Sequence, residues 1–175
     1  MNSKYIALCL SLLFCSVRSE HVSCDWNRYN ILSGRTLSLL RTMGEHTESM
    51  KTPFPHQLYA KIFNSKPEQQ VRFLAEVAEQ IAQLFDADPD AADWDPKKLD
   101  DFRNVFQERQ LKELQSCAKS YPATRIKSPR KHFRKLKEIL KNNSKESWEQ
   151  IRTTVIGHLI RMDLIASNLR SKLKG

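Results

Sequence analysis

The sequence predicts an all-α protein, a bundle of about five helices in which the first crossover is long. Apolar residues recur every three or four positions along most of the 175-residue chain, which is the spacing of one buried helical face. Alternating strand patterns are nearly absent, and proline-containing turns separate the periodic segments.

The first three predicted helices follow from their apolar stripes and end signals. The stripe of the first helix consists of Leu32, Thr36, Leu39, Leu40 and Met43. The stripe of the second consists of Val71, Leu74, Val77, Ala78, Ile81, Leu84 and Phe85, after a capping box at Ser65 to Glu68. The third begins at Asp95 as N-cap, is interrupted near Arg109 and Gln110, and ends at Tyr121-Pro122.

Two further helices complete the prediction. Ser128-Pro129 opens the fourth, with Phe133, Leu136, Ile139 and Leu140 inward, and Ser144 caps the fifth. The stripe of the fifth consists of Trp148, Ile151, Val155, Leu159, Met162, Ile165 and Leu169. The link from Met43 to Ser65 is long, whereas the last link is very short. A long first crossover in a helical bundle favours the up-up-down-down arrangement of helical cytokines.

Residues 1–19 have the pattern of a secretory signal peptide, so residues 20–175 are expected to form the mature domain. Lys4 supplies a positive start, Tyr5 to Phe14 is apolar or small, and cleavage is expected after Ser19. Export leaves two of the four cysteines, Cys24 and Cys117. An oxidising compartment permits one intramolecular bridge between them; the alternatives are two buried thiols or pairing between chains.

The lack of catalytic motifs argues against an enzyme, and the basic charge favours an acidic partner. The formal net charge of +9 suits sulfated glycans, anionic membranes or an acidic receptor face. No motif for a nucleophile, a phosphate loop or a metal site is present, and no cofactor is expected. His158, beside the apolar stripe of the last helix, is interpreted as a packing residue.

Two surface features point to modification and binding. Asn142-Asn143-Ser144 is an N-glycosylation sequon at a turn. The fourth helix carries a basic run, interpreted as a solvated face or as a patch for heparan-sulfate-like glycans or a receptor: Lys127, Arg130, Lys131, Arg134, Lys135, Lys137 and Lys141.

Several segments, in order, resemble type I interferons. The start Cys24-Asp25 and Ser33-Gly34-Arg35-Thr36-Leu37 resemble the first helix of that family, and Phe54-Pro55 resembles its AB loop, the first crossover. Gln80-Ile81-Ala82-Gln83-Leu84-Phe85 resembles its second helix, and Ala91-Ala92-Asp93-Trp94-Asp95 the loop before its third. Ser147-Trp148-Glu149-Gln150-Ile151-Arg152 is similar to the start of its last helix. Glu146 stands where the family usually has a cysteine, a pattern similar to the two-cysteine interferons of fishes.

The resemblance implies a secreted antiviral cytokine, expected to be a monomer, that bridges two class II cytokine-receptor chains and activates JAK–STAT signalling. In that family the AB loop and one face of the last helix contact the high-affinity chain. The matching positions here are Met50, Lys51, Arg152, Thr153 and Ile156, with Arg152 expected to be exposed. The opposite face contacts the second chain, and the matching positions are Gln83 and Arg130.

Two alternatives remain open from the sequence. A basic host-defence protein that disrupts membranes would use the charge run of the fourth helix and would need that helix to leave the bundle. A helical cytokine of another type, such as a type III interferon or an interleukin-10-like protein, would share the same architecture.

Overall fold

Six helices and no strand form the part of the chain that the computed structural model describes, residues 24–44, 53–87 and 89–172. They are α1 (Trp26–Met43), α2 (His56–Phe63), α3 (Pro67–Leu84), α4, α5 (Arg130–Leu140) and α6 (Lys145–Lys172). Helix α4 runs through three consecutive segments, α-helical Pro96–Arg103, π-helical Asn104–Leu111 and α-helical Lys112–Lys119. A single 3₁₀ turn, Asp90–Ala92, precedes α4. The all-α prediction is confirmed, with one more helix than expected.

The two caps predicted for α4 and α3 have different outcomes. The Asp95 carboxylate accepts hydrogen bonds from the backbone N–H groups of Lys97 (2.9 Å) and Lys98 (3.1 Å), which confirms the predicted N-cap of α4. The predicted capping box at Ser65 to Glu68 is wrong. Ser65 instead donates to the Ile62 carbonyl of α2 (2.7 Å), and the Lys66 N–H donates to the Gln69 side chain (3.3 Å). The Ser65 hydroxyl is therefore bonded to the end of α2 and does not cap the start of α3.

Helix α2 lies inside the long crossover and was not predicted. Tyr59 and Ile62 are its buried residues, and they pack toward α3 and α6. The spacing of Leu58, Tyr59 and Ile62 after Pro55 is the helical signal that could have identified it.

Contacts between the ends of the four long helices establish their directions. Near the start of α1 Arg28 pairs with Glu113 of α4, and near its end the Met43 carbonyl accepts from the Asp95 N–H, so α1 and α4 are antiparallel. Ser33 with Asp163, and the Leu40 carbonyl with Arg152, show that α6 is antiparallel to α1 as well.

The same reasoning fixes α3 against its neighbours. Arg72 donates to the Pro122 carbonyl just beyond α4, whereas the Phe85 carbonyl accepts from Arg103 near the start of α4. Gln70 meets Asn168, and Phe85 meets Trp148, at the opposite ends of α6. Helices α1 and α3 therefore run one way and α4 and α6 the other, which is the predicted up-up-down-down order.

The predicted interruption of α4 is a π-helical segment, and a buried hydrogen bond lies within it. Gln110 is fully buried, and its side-chain carbonyl accepts from the Thr36 hydroxyl of α1 (2.7 Å). The wider π-turns break the apolar stripe near Arg109 and Gln110 as expected from the sequence.

A disulfide joins Cys24, just before α1, to Cys117 near the end of α4, with 5.1 Å between the Cα atoms. It is the pairing that the cysteine count permits. The link fixes the start of the described chain against the core, because Cys117 is buried.

Candidate functional site

The outer face of α6 carries an exposed apolar stripe. Ile156, Ile160 and Leu164 follow at intervals of four, with Ile156 half-buried, Ile160 41% exposed and Leu164 49% exposed. Predicted site residue Thr153 is half-buried one turn before Ile156. Phe63, on the neighbouring α2, is 41% exposed. The sequence prediction missed Ile160, Leu164 and Phe63, although Ile160 and Leu164 lie outside the core stripe and so could have been recognised.

The expectation that Arg152 is exposed is wrong. Its side chain is only 2% accessible to solvent. The guanidinium donates to the Glu149 carboxylate through Nε (2.9 Å) and Nη2 (2.6 Å), and to the Leu40 carbonyl through Nη1 (2.7 Å). Arg152 therefore links α6 to the end of α1 and presents no free surface to a partner.

Glu149 and Arg152 belong to a polar cluster that joins three parts of the chain. The Trp94 indole N–H donates to the Glu149 carboxylate, so the loop before α4 is included. A Cβ atom on Gly44 would lie 2.7 Å from Trp94 Nε1 and 2.8 Å from Arg152 Nε. Only glycine leaves room for this cluster where the chain leaves α1 for the crossover.

Gln83 and Arg130, the pair assigned to the other face, lie together along a cleft between α3 and α5. Arg130 forms an ion pair with Glu76 (3.0 Å), and the Lys137 ammonium donates to the Gln83 side chain (2.9 Å). Glu79 and Arg134 complete this polar cleft. It shares no residue with the apolar stripe of α6, so the structure offers two separate surfaces.

Met50 and Lys51 lie outside the described residues. Within the described ranges, no three His, Cys, Asp or Glu side chains are grouped as they would be to hold a metal ion. No helix in the same ranges is long and apolar enough to cross a bilayer.

Comparison with known proteins identifies the family of this chain. The interferon alpha/beta domain model matches residues 27–169. The chain is a member of the interferon alpha/beta family. It is 39% identical to interferon a3 of Oncorhynchus mykiss over 170 residues, covering 92% of this chain and 95% of that protein. The structure is similar to zebrafish interferon 1, with a TM-score of 0.75 and 40% identity, over 83% of this chain and 99% of that one.

The resemblance to type I interferons, and to those of fishes, is thereby confirmed. Interferons of this family are secreted cytokines that act through class II cytokine receptors, and they are not enzymes. The alternatives of a type III interferon or an interleukin-10-like protein lose their support, because the alpha/beta domain spans nearly all of α1 to α6 in this interferon.

The turn between α5 and α6 of the interferon presents the sequon to solvent. Asn142 is exposed, and Asn143 adopts a left-handed conformation with φ of 38°. The Asn143 side chain accepts from the Trp148 indole N–H (2.8 Å), which fixes the turn against α6. Glycosylation of Asn142 stays a prediction.

A buried histidine cluster holds α2, α5 and α6 of this interferon together. His158 meets the Tyr59 hydroxyl through Nδ1 (2.7 Å) and His132 through Nε2 (3.0 Å between the two Nε2 atoms). Phe54 packs against it, with ring centroids 4.8 Å apart. Because the two Nε2 atoms face each other, one ring must donate and the other accept, so the imidazoles cannot both be protonated.

Burial and neighbouring cations keep these imidazoles neutral. Desolvation, helped by Lys135, lowers the pKa of His132 to about 4. Burial, and then the proximity of His132, lowers the pKa of His158 well below its usual range. The predicted packing role of His158 is extended by the structure, which adds hydrogen bonds to two other helices.

We expect the interferon to lose stability in acid through this cluster. Free histidine titrates near pH 6.5, so below that value the unfolded chain binds protons that the folded chain excludes. The contribution is complete above about pH 6.5 and is lost as the pH falls toward 4, by about 1–2 kcal/mol after allowing for the partial exposure of His132. Urea unfolding at several pH values would measure it.

The double variant His132→Gln/His158→Gln is the control, because carboxylates also titrate in this range. Its stability should be lower at neutral pH and should depend less steeply on pH than that of the wild type. Parallel pH profiles for the two proteins would contradict the expectation.

Proposed function

We propose that this protein is a secreted antiviral cytokine that bridges two class II cytokine-receptor chains and triggers JAK–STAT induction of antiviral genes. The observation that carries the proposal is the apolar stripe of α6, exposed on a chain of the interferon alpha/beta family. Removal of residues 1–19 as a signal peptide, action as a monomer and the absence of catalytic activity are parts of the same proposal.

The stripe has the character of a binding surface for the high-affinity chain. Ile160 and Leu164 expose large parts of their apolar side chains, and Phe63 of α2, which is also exposed, extends the surface. Exposed apolar side chains grouped on one face mark interaction sites more often than isolated ones do. Thr153 and Ile156 keep their assigned contact role. Arg152 is buried and contributes indirectly, because it fixes the start of α6 against α1.

The cleft between α3 and α5 is assigned to the second chain. Arg130 is exposed, and it lies with Gln83 in a polar surface rather than an apolar one. A polar surface of this kind suits a weaker contact, which is consistent with one chain binding first and the other completing the complex.

Leu164→Glu tests the first surface. We expect the affinity for the high-affinity receptor ectodomain to fall by roughly thirtyfold or more, because a charge would replace a central apolar contact. Surface plasmon resonance would measure the affinity, and a STAT reporter in cells of the host lineage would measure the response.

Ile31→Glu is the matched control, since Ile31 is 74% exposed on α1 and belongs to neither surface. Both variants should keep the wild-type melting temperature. Equal affinity of wild type and Leu164→Glu for every candidate receptor chain would overturn the assignment of the α6 stripe.

The membrane-active alternative gains no support from the structure. Phe133 and Leu136, the apolar residues that would enter a bilayer, are fully buried in the core. Helix α5 would have to leave the bundle to expose them.

A further inference from the structure

The basic residues of α5 divide into two groups that lie on different sides of the helix. Arg130, Arg134 and Lys137 face the cleft shared with α3, where Glu76 and Glu79 offset their charge. Lys131 and Lys135, with Lys127 from the preceding loop, line a second cleft on another side of the helix. This second cleft, between α5 and the segment that enters α2, is here named the lysine cleft.

The lysine cleft concentrates positive charge that no carboxylate of the described residues offsets. None of its three lysines makes an ion pair with any described residue, and no carboxylate is found among the described residues that line it. Lys131 and Lys135 are one helical turn apart, about 6 Å along the axis, and Lys127, in the loop before α5, lines the same cleft. The wall formed by the segment that enters α2 is mostly apolar, with Phe54, Pro55 and Leu58, and also includes His56 and Gln57.

These features favour a linear polyanion with a partly apolar backbone. Several cations that line one cleft can meet negative groups repeated along a chain, and electrostatic attraction would speed the encounter. The apolar wall can pack against the C–H faces of sugar rings. A lipid surface fits less well, because the apolar residues are recessed in a cleft about 660 Å³ in volume rather than raised on a face.

We propose that the lysine cleft binds sulfated glycan chains, with Lys127, Lys131 and Lys135 as the sulfate contacts. The site shares no residue with the α6 stripe or with the α3–α5 cleft. A bound glycan would hold the cytokine at the cell surface and cover Phe54 and Pro55 of the AB loop, while the α6 stripe and the α3–α5 cleft stay open.

A matched pair of triple variants of the full chain tests the proposal. Lys127→Gln/Lys131→Gln/Lys135→Gln removes the cleft cations, and Arg134→Gln/Lys137→Gln/Lys141→Gln removes the same charge elsewhere. Calorimetry would measure binding of a heparin octasaccharide at about 0.15 M salt, where distant surface charges are screened. We expect the cleft variant to bind roughly tenfold more weakly or worse and the control variant to lose less than about threefold.

Equal weakening by the two variants would show attraction by net charge alone and would overturn the site. Heparin stripped of its O-sulfates should bind as weakly as the cleft variant does; full binding of the stripped chain would also overturn the proposal. So would wild-type protein that binds phosphatidylserine vesicles but not heparin.

The STAT reporter separates this proposal from the proposed function. The cleft variant should give the wild-type response when applied in excess to cells, since neither receptor surface has changed. A reporter response without heparin binding would reject the glycan site and leave the cytokine function intact.

Discussion

Arg152→Gln should lower the free energy of unfolding by about 3–5 kcal/mol, the loss typical of breaking a buried ion pair. The substitution removes two hydrogen bonds to Glu149 and one to the Leu40 carbonyl, all within a cluster closed to solvent. Because α1 and α6 meet through this guanidinium, the bundle end nearest the first crossover should loosen first.

Urea unfolding followed by circular dichroism would measure the change. Arg161→Gln is the control, since Arg161 is exposed on the same helix and should change stability by less than about 0.5 kcal/mol. The double variant Glu149→Gln/Arg152→Gln should be more stable than the sum of its single changes indicates. Wild-type stability in Arg152→Gln would show that the guanidinium is a surface group after all.

Loss of the disulfide should have an effect of similar size. The bridge spans 93 residues of sequence, and the chain-entropy relation gives about 4–5 kcal/mol for a loop of that length. Because the bridge ties the residues before α1 to the end of α4, its removal should free the start of the chain before the rest of the bundle unfolds.

The variant Cys24→Ser/Cys117→Ser avoids an unpaired thiol and is the protein to measure. Its midpoint in urea should fall, and hydrogen exchange should rise most in the first turn of α1 and the last turn of α4. A midpoint equal to that of the oxidised wild type would contradict a stabilising role for the bridge.

Local signals were sufficient to predict most of the helices. Asp95 caps α4 through its own side chain, and Pro96 lies at the first helical position, so that start depends on neighbouring residues alone. The break near Gln110 was also visible, because a polar side chain interrupts an apolar stripe. What the sequence could not show is the partner of Gln110, since Thr36 lies 74 positions away.

Arg152 shows why the candidate site was harder to predict. It follows Trp148 by four positions, so helix geometry places it on the buried side of α6, yet its charge favoured exposure. The Leu40 carbonyl and Trp94 make burial favourable, and both come from distant parts of the chain. Ile160 and Leu164 were missed because the apolar residues of α6 were considered only as core positions, and these two lie beside the core stripe.

The π-helical segment of α4 has a consequence for how this chain can vary in evolution. In a π-helix the backbone hydrogen bonds join residues five apart, whereas in an α-helix they join residues four apart. Each π-helical turn therefore contains roughly one more residue. Deleting a single residue between positions 104 and 111 would turn a π-turn into an α-turn without moving either end of the helix. Relatives of different length can therefore keep Asp95 and Cys117 in place, with the insertion or deletion absorbed inside a helix rather than in a loop.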